Sequence, residues 1–229
     1  MSVLDAGCGT GAITAGIAAA VGADGFVVGI DRDPSLIATA REMHRGIPSL
    51  SFAEADLLTL ESPASYDIAT AARVLQWISE PGEAVRRMAA CVKPGGLVVV
   101  LDYNHELNAW TPEPPAEFRH FYQAFLAWRA ASGWDNMMGD HLTTWMVEAG
   151  LTGIVSTRSD EVARRGEPNF DGDSSIWLQV IQGMGAHILP SPAELTSIQA
   201  AYRDYLTCSL KTQVLSLRTV TGTKRNRGL

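Results

Sequence analysis

The chain has 229 residues, of which 46% are hydrophobic, and this is enough for one α/β domain with a large core over residues 1–229. Its formal net charge of −7 repels nucleic acids and anionic membranes, so we expect neither as a partner. Its three cysteines show no metal-binding or disulfide spacing, and no signal peptide or transmembrane run is visible. We therefore predict a cytoplasmic protein, monomeric or homodimeric, that binds no metal.

The first predicted elements are a strand, a tight turn and a helix within residues 3–21. Apolar residues run into Asp5, and glycines then occupy alternate positions at Gly7, Gly9 and Gly11. The apolar residues that follow at helical spacing are Ile13, Ile17, Ala18 and Val21. This pattern is the opening half of a nucleotide-type βαβ unit, in which glycine allows a sharp turn and the close approach of a ligand.

The glycine spacing alone leaves two kinds of ligand open. Gly7, Gly9 and Ala12 also fit the dinucleotide pattern G-x-G-x-x-G/A. Asp5 argues against a dinucleotide, because a carboxylate two residues before the first glycine would repel a pyrophosphate at the helix N-terminus. The same carboxylate would hold a ligand that carries an ammonium group, so we favour such a ligand over NAD.

The run Asp5-Ala-Gly7-Cys-Gly9-Thr-Gly11 closely resembles the first motif of the class I S-adenosylmethionine-dependent methyltransferases. The resemblance implies a Rossmann-like fold, S-adenosylmethionine (SAM) as cofactor, and cofactor contacts from Asp5, Gly7, Cys8, Gly9 and Gly11. Members of the family usually carry a helical segment before the first strand, whereas this motif begins a few residues after Met1. We expect a misassigned start, a fragment, or a lid that comes from elsewhere.

A second strand and helix are predicted at residues 26–30 and 34–44. Asp31 lies twenty residues beyond the last glycine of the motif, where a doubly wound fold places the acid that accepts both ribose hydroxyls. Asp33 precedes a proline and is predicted to cap the helix. We place Arg32 beside the adenine.

The third strand is predicted at residues 50–55, with Asp56 and Leu57 directly after it. The resemblance implies that Asp56 accepts a hydrogen bond from the adenine amino group and that Leu57 belongs to the same site. The alternative is an ordinary loop aspartate at a strand end.

The fourth strand, at residues 66–71, leads into the segment 72–78, which we expect to face the reacting methyl group because ligands bind outside the carboxyl ends of parallel strands. The Leu-Gln-Trp-Ile run in this segment resembles the small-molecule branch of the family, including trans-aconitate-type and quinone-pathway-type enzymes. We assign Ala72 and Arg73 to the cofactor and Trp77 to the acceptor pocket, although a packing role for Trp77 stays open.

A helix at residues 81–91 and a Lys-Pro-Gly-Gly turn precede the fifth strand, at residues 97–101. That strand ends in Asp102-Tyr103-Asn104-His105, at the edge where ligands bind. His105 is a candidate general base because the free pKa of histidine lies near neutrality, with Tyr103 as a second catalytic candidate and Asn104 as an acceptor-pocket candidate. A histidine that is hydrogen-bonded in a loop is the alternative.

Residues 106–150 and 160–212 are predicted to be helical segments on the acceptor side, whereas residues 1–105 form the cofactor-binding half. A helix over residues 115–131 carries an aromatic stripe, which is either core packing or the face of a lid, and Trp110 and Tyr122 are acceptor-pocket candidates. The remaining predicted elements are a helix capped by Asp140 and ending at Gly150, a polar loop over residues 164–174, and helices over residues 176–187 and 192–208.

Residues 152–158 and 214–222 are predicted to form the last two strands and to pair antiparallel at a sheet edge. The predicted fold is therefore a Rossmann-like, doubly wound, mostly parallel sheet of about seven strands with helical cap insertions. The predicted function is SAM-dependent methyl transfer to a small-molecule acceptor by in-line displacement. The alternatives are a non-catalytic SAM- or S-adenosylhomocysteine-binding protein or partner subunit, and an NAD-dependent oxidoreductase.

Overall fold

The five strands predicted in the first 103 residues all form in the computed structural model, which describes residues 1–189 and 191–226. The strands are β1 (Ser2–Ala6), β2 (Phe26–Asp31), β3 (Leu50–Glu54), β4 (Tyr66–Ala72), β5 (Val92–Tyr103), β6 (Ala109–Thr111), β7 (Thr152–Arg158), β8 (Glu161–Arg164), β9 (Thr212–Leu215) and β10 (Leu217–Thr223). The α-helices are α1 (Ala12–Val21), α2 (Pro34–Met43), α3 (Pro81–Cys91), α4 (Ala116–Ala131), α5 (Met138–Glu148), α6 (Phe170–Ser174), α7 (Ile176–Ile188) and α8 (Pro192–Cys208). Short 3₁₀ helices cover Leu57–Thr59, Leu75–Trp77 and His105–Leu107.

The chain divides into two compact units. Unit 1 comprises Met1–Asp102, Met138–Arg158 and the chain from Arg218 onward, and unit 2 comprises Tyr103–Met137 and Ser159–Leu217. Helix α5, which we expected among the acceptor-side segments, belongs to unit 1 because Met138, Leu142 and Met146 pack into its core.

Unit 1 contains a seven-stranded sheet in the order β3-β2-β1-β4-β5-β10-β7. The pairs β2–β3, β1–β2, β1–β4 and β4–β5 are parallel, and β10 pairs antiparallel with β7. This arrangement confirms the predicted Rossmann-like sheet with its antiparallel final strands. The carboxyl ends of β1 to β4 lie at one edge of the sheet, where the predicted cofactor residues follow them.

The core of unit 1 forms between the apolar strands and the buried faces of the helices. Ala84, Val85 and Met88 of α3 pack on Ala69 and Val98 of the sheet. The apolar residues of α1 and α2 do not all face this core. Ile13 and Met43 are exposed, whereas Thr14 and Ala18 are the buried residues of α1.

Unit 2 contains a three-stranded antiparallel sheet, β6-β9-β8, that the sequence did not predict. The aromatic stripe of α4 packs on α7 and α8: the ring centroids of Phe118 and Tyr202 lie 4.1 Å apart, and those of Phe125 and Trp177 lie 5.2 Å apart. Phe118, Phe121 and Phe125 are almost completely buried. The stripe therefore serves core packing in unit 2.

Four further details correct the predicted elements. The strand predicted over residues 214–222 is two strands, β9 and β10, which belong to different sheets and are separated by Ser216. The predicted polar loop contains the end of β8 and helix α6. Asp140 lies inside the first turn of α5, where it pairs with Arg218 at 2.9 Å, and does not cap the helix. The Lys-Pro-Gly-Gly segment lies within β5, as an irregularity in its pairing with β4.

Candidate active site

The turn after β1 is held against the end of β2 by backbone hydrogen bonds. The N–H groups of Gly7 and Cys8 both donate to the carbonyl of Ile30, at 2.7 and 2.9 Å. The N–H of Gly11 donates to the carbonyl of Cys8, which closes the turn before α1. The motif is therefore a tight turn at the sheet edge, as predicted.

The three glycines of the turn have different surroundings. All three have a positive φ, which residues with a side chain adopt only with strain. A Cβ on Gly7 would lie 2.4 Å from Val74, and one on Gly11 would lie 2.5 Å from Phe52, whereas a Cβ on Gly9 would meet nothing within 4 Å. A side chain at Gly7 or Gly11 would therefore collide with other side chains of the protein, whereas Gly9 faces open space.

Asp5 is almost completely buried in β1, with 2% exposure. Its Oδ2 accepts a 2.7 Å hydrogen bond from the hydroxyl of Thr14, which is itself fully buried in α1. Burial raises the pKa of Asp5 to about 6, and the Thr14 hydrogen bond acts in the opposite direction. Burial also raises the pKa of Cys8 to about 12, so this side chain is a packed thiol.

Asp31 accepts two backbone hydrogen bonds at the end of β2. The Gly9 N–H donates to Oδ2 at 2.9 Å and the Asp33 N–H donates to Oδ1 at 3.0 Å. Each carboxylate oxygen retains capacity for a further donor. Asp33 accepts from the N–H groups of Ser35 and Leu36, so the predicted cap of α2 is confirmed. Arg32, between the two acids, is exposed.

The acid after β3 lies close to Asp31 along the backbone. The Ala55 N–H donates to the carbonyl of Asp31 at 3.0 Å, and Asp56 follows as an exposed side chain. The Oδ1 of Asp56 accepts from the Leu58 N–H at 2.9 Å and caps the short 3₁₀ helix. Leu57 is buried beside it.

The segment that leaves β4 has an unusual backbone. Arg73 has φ of 63°, in the left-handed region, and its N–H donates to the carbonyl of Leu101 at 2.7 Å. Gln76 Nε2 donates to the Arg73 carbonyl, and the Gln76 N–H donates to the fully buried Asp102 carboxylate. These bonds, together with the packing of Val74 on Gly7, position the segment that contains Ala72, Arg73 and the half-buried Trp77.

His105 lies in the core of unit 2. It is 5% exposed, and its ring lies 5.1 Å from that of Tyr103 and 5.4 Å from that of Phe125. Burial, with a smaller contribution from the Arg129 guanidinium, lowers the pKa of His105 to about 3. The near-neutral pKa that motivated its assignment as a general base is therefore wrong for this side chain.

The acceptor-pocket candidates of unit 2 take part in hydrogen-bond networks. Asn104 is completely buried and its Oδ1 accepts from the Glu106 N–H. The Tyr122 hydroxyl donates to the His105 carbonyl at 2.6 Å, and burial raises its pKa above the ordinary value. Trp110 Nε1 donates to Gln213 Oε1 at 3.0 Å.

The structure thus brings the predicted cofactor residues together at one edge of the sheet of unit 1. Tyr103, Asn104, His105, Trp110 and Tyr122 belong to unit 2, and Trp77 belongs to unit 1. Sequence reasoning missed Thr14, Val74 and Asp102. A signal for Thr14 was present, because a polar residue at the buried helical spacing with Ala18 needs a hydrogen-bond partner.

Comparisons with known proteins agree with this geometry. A family profile described as a methyltransferase domain matches residues 1–150. The chain is 32% identical to the trans-aconitate 2-methyltransferase of Methylobacterium radiotolerans, over 69% of this chain and 57% of that protein. It is 34% identical to the ubiquinone biosynthesis O-methyltransferase of Proteus mirabilis, over 47% of this chain and 44% of that protein.

Among solved structures, the fold is similar to that of Haemonchus contortus phosphoethanolamine N-methyltransferase 2, which was determined with phosphomonomethylethanolamine and S-adenosylhomocysteine. The TM-score is 0.61 at 16% identity, over 99% of this chain and 49% of that chain. The chain spans about half the length of the curated relatives described above. In residues 1–189 and 191–226, no helix has the length and apolar character needed to cross a membrane.

Proposed function

The chain belongs to the methyltransferase-domain family, and from that premise we propose that it transfers a methyl group from SAM to a small-molecule acceptor. The observation that carries the proposal is the open space over Gly9, in a turn whose Gly9 N–H donates to Asp31 and whose Cys8 thiol is acted on by the carboxylates of both Asp5 and Asp31. Carboxylates suit a ligand with an ammonium group and ribose hydroxyls, whereas they repel a pyrophosphate. This arrangement favours SAM over NAD.

The residues at this edge fit the parts of the cofactor one by one. The Asp5 carboxylate would hold the ammonium group, and Asp31, whose two oxygens keep free acceptor capacity, would hold the ribose hydroxyls. The open space over Gly9 would admit the body of the cofactor. The remaining proposed contacts come from Gly7, Cys8, Gly11, Arg32, Asp56, Leu57, Ala72 and Arg73.

When bound, SAM supplies a methyl group already activated as a sulfonium, ready for in-line displacement by a nucleophilic acceptor. The protein then has to align the acceptor and exclude water. In unit 1, the hydrogen bonds of Gln76 to Asp102 and to the Arg73 carbonyl hold the segment after β4 in one conformation. Val74 of this segment packs against Gly7 of the glycine turn, and we propose that the segment aligns the acceptor side of the site.

The relatives whose printed names include trans-aconitate and ubiquinone biosynthesis support a small organic acceptor. Tyr103, His105, Trp77, Asn104, Trp110 and Tyr122 stay candidates for this side of the reaction. A neutral imidazole whose pKa lies near 3 is a weak base, so we propose no proton transfer to His105. A cytoplasmic location and the lack of a nucleic-acid partner also stay predictions from the cysteine count and the net charge.

Calorimetric titration of the purified chain with SAM, S-adenosylhomocysteine and NAD tests the proposal. We expect micromolar binding of the first two and no heat from NAD. Asp5→Ala should weaken the binding of SAM by about 1.5–3 kcal/mol, the range of a charge-assisted hydrogen bond, and should leave the response to NAD unchanged. Asp24→Ala, which removes an exposed acid, is the matched control.

The outcomes separate the three candidate functions. Binding of NAD in place of SAM would contradict the cofactor assignment. Binding of SAM without turnover, in a screen of carboxylate, phenol, amine and thiol acceptors followed by S-adenosylhomocysteine release, would favour the non-catalytic binder.

A further inference from the structure

We propose that Thr14 is a positioning residue for the cofactor: its hydroxyl orients the buried Asp5 carboxylate toward the ammonium group of the ligand. The inference rests on the proposed function and adds a residue outside the glycine motif. Thr14 lies in the first turn of α1, is fully buried, and donates to Asp5 Oδ2 at 2.7 Å. Nothing in the apolar pattern of α1 requires a hydroxyl at this position.

The hydrogen bond that Thr14 makes differs from those of three other helical threonines. The hydroxyls of Thr39, Thr196 and Thr207 each donate to the carbonyl four residues earlier in their own helix. For Thr14 that carbonyl belongs to Thr10, and it lies 3.1 Å from His44 Nε2. The Thr14 hydroxyl instead reaches across to β1. This pairing is specific to the glycine turn and the strand before it.

The Thr14 hydroxyl also affects the charge state of Asp5. Helix α1 has no titratable side chain. The carboxylates of Asp5 and Asp31 both act on the neutral thiol of Cys8, and β4 has Tyr66 and Asp67 at its start. Desolvation raises the pKa of Asp5 to about 6, and the bond from Thr14 lowers it. The hydroxyl thus both orients the carboxylate and favours its charged form, which is the form that binds an ammonium group.

Replacing Thr14 by valine keeps the shape and removes the donor. The carboxylate then loses its fixed orientation and holds its proton to a higher pH. We expect Thr14→Val to weaken the binding of S-adenosylhomocysteine roughly tenfold at pH 7, which corresponds to the lower end of the range for one charge-assisted hydrogen bond. The ratio of the mutant to the wild-type dissociation constant should shrink as the pH rises toward 8.5, because the carboxylate ionises in both proteins.

The experiment is calorimetric titration with S-adenosylhomocysteine between pH 5.5 and 8.5, for the wild type, Thr14→Val, Thr14→Ser and Thr39→Val. Thr14→Ser restores the hydroxyl and should recover most of the affinity. Thr39→Val is the matched control, since it removes an exposed hydroxyl on α2. A second ligand, 5′-methylthioadenosine, lacks the ammonium group, so its binding should be the same in all four proteins.

The outcomes separate a positioning role of Thr14 from a packing role. A weaker S-adenosylhomocysteine complex in Thr14→Val, with a pH-dependent ratio and unchanged methylthioadenosine binding, supports the positioning role. Equal loss of both ligands, or a ratio that does not change with pH, shows that Thr14 is only a packing residue and overturns the inference. If the wild type binds neither ligand at any pH, the proposed function itself fails and the inference fails with it.

Discussion

Polar side chains of unit 1 lie at strand ends around the glycine turn, whereas those of unit 2 lie inside an aromatic core. In unit 1, Asp31 and Asp56 follow consecutive parallel strands and contact backbone N–H groups close by in the chain or across one strand. In unit 2, Gln213 is 1% exposed and connects Trp110, Tyr202 and the carbonyl of Asp173.

This difference decides which residues a sequence reveals. A parallel sheet places the residues after its strands at one edge, so a strand pattern and a glycine motif are enough to group them. The hydrogen bond between Trp110 and Gln213 joins residues 103 positions apart, and no local period connects them. Unit 1 should therefore respond to backbone changes at the turn, and unit 2 to the loss of single buried polar groups.

Among the variants that test this difference between the two units, Gly7→Ala is expected to have the largest effect on stability. The new Cβ would meet Val74 at 2.4 Å and the backbone would hold alanine at φ of 71°, so we expect a loss of about 4–5 kcal/mol in the free energy of unfolding. Gly9→Ala has the same kind of strain and no clash, and should cost only about 1 kcal/mol while it abolishes cofactor binding. Denaturant unfolding measures both; equal losses would contradict the distinction between the two glycines.

In unit 2, the expected pH dependence comes from His105. Its pKa is lowered in the fold from 6.5 to about 3, so the stabilising effect of the neutral ring is complete above pH 6.5 and is lost as the pH falls toward 3. We expect up to about 4 kcal/mol of stability to be lost over this range. His105→Phe should lack that part of the pH dependence in denaturant titrations at pH 7, 5.5 and 4.5.

The imidazole itself can be observed directly. Its NMR signals should not titrate between pH 5 and pH 8. Titration near pH 6.5 would contradict the burial of His105 and would support a role for it as a general base.

Removal of the buried amide in unit 2 comes next in size. Gln213→Ala leaves the Trp110 N–H, the Tyr202 hydroxyl and the Asp173 carbonyl without this partner, and should cost about 3 kcal/mol of stability. Tyr202→Phe removes a single donor to the same amide and should cost only about 1 kcal/mol. Thermal unfolding of the pair tests the network; an equal cost for both variants would argue against Gln213 as its centre.

The last of these effects is expected to be a gain in stability in unit 1. The pKa of Asp5 is raised from 3.8 to about 6 in the fold, so the wild type loses stability as the pH rises through this range. Asp5→Asn should therefore be more stable by about 2–3 kcal/mol at pH 8, and equally stable below pH 4. The same variant should lose SAM affinity. A variant less stable than wild type at pH 8 would contradict the cost assigned to this buried carboxylate.

The sequence predicted the elements of unit 1 better than those of unit 2. The parallel strands, α3 and the positions of Asp5, Asp31 and Asp33 followed from periodicity and turn chemistry, which act over a few residues. The three-stranded sheet of unit 2 was missed because β6 is only three residues long and because Ser216 interrupts what reads as one strand from residue 214 to residue 222. At Ser216 the backbone N–H donates to Asn108 Oδ1 at 2.7 Å, a contact 108 residues away that no local pattern encodes.

The candidate site shows this limit at the level of single side chains. The family motif supplied the acids and glycines, but it did not reveal that Asp5 is buried against Thr14 or that Gly7 makes room for Val74. The general-base role of His105 was predicted from the free pKa of histidine, and burial in an aromatic core lowers that pKa.

The central claim is that the glycine turn of unit 1 binds SAM. The most direct test is to add S-adenosylhomocysteine to the ¹⁵N-labelled chain and to record the amide shifts by NMR. We expect the largest shifts on residues 5–11, 31–33, 56–57 and 72–73. Largest shifts elsewhere in the chain, or shifts at these residues with NAD and none with S-adenosylhomocysteine, would contradict it.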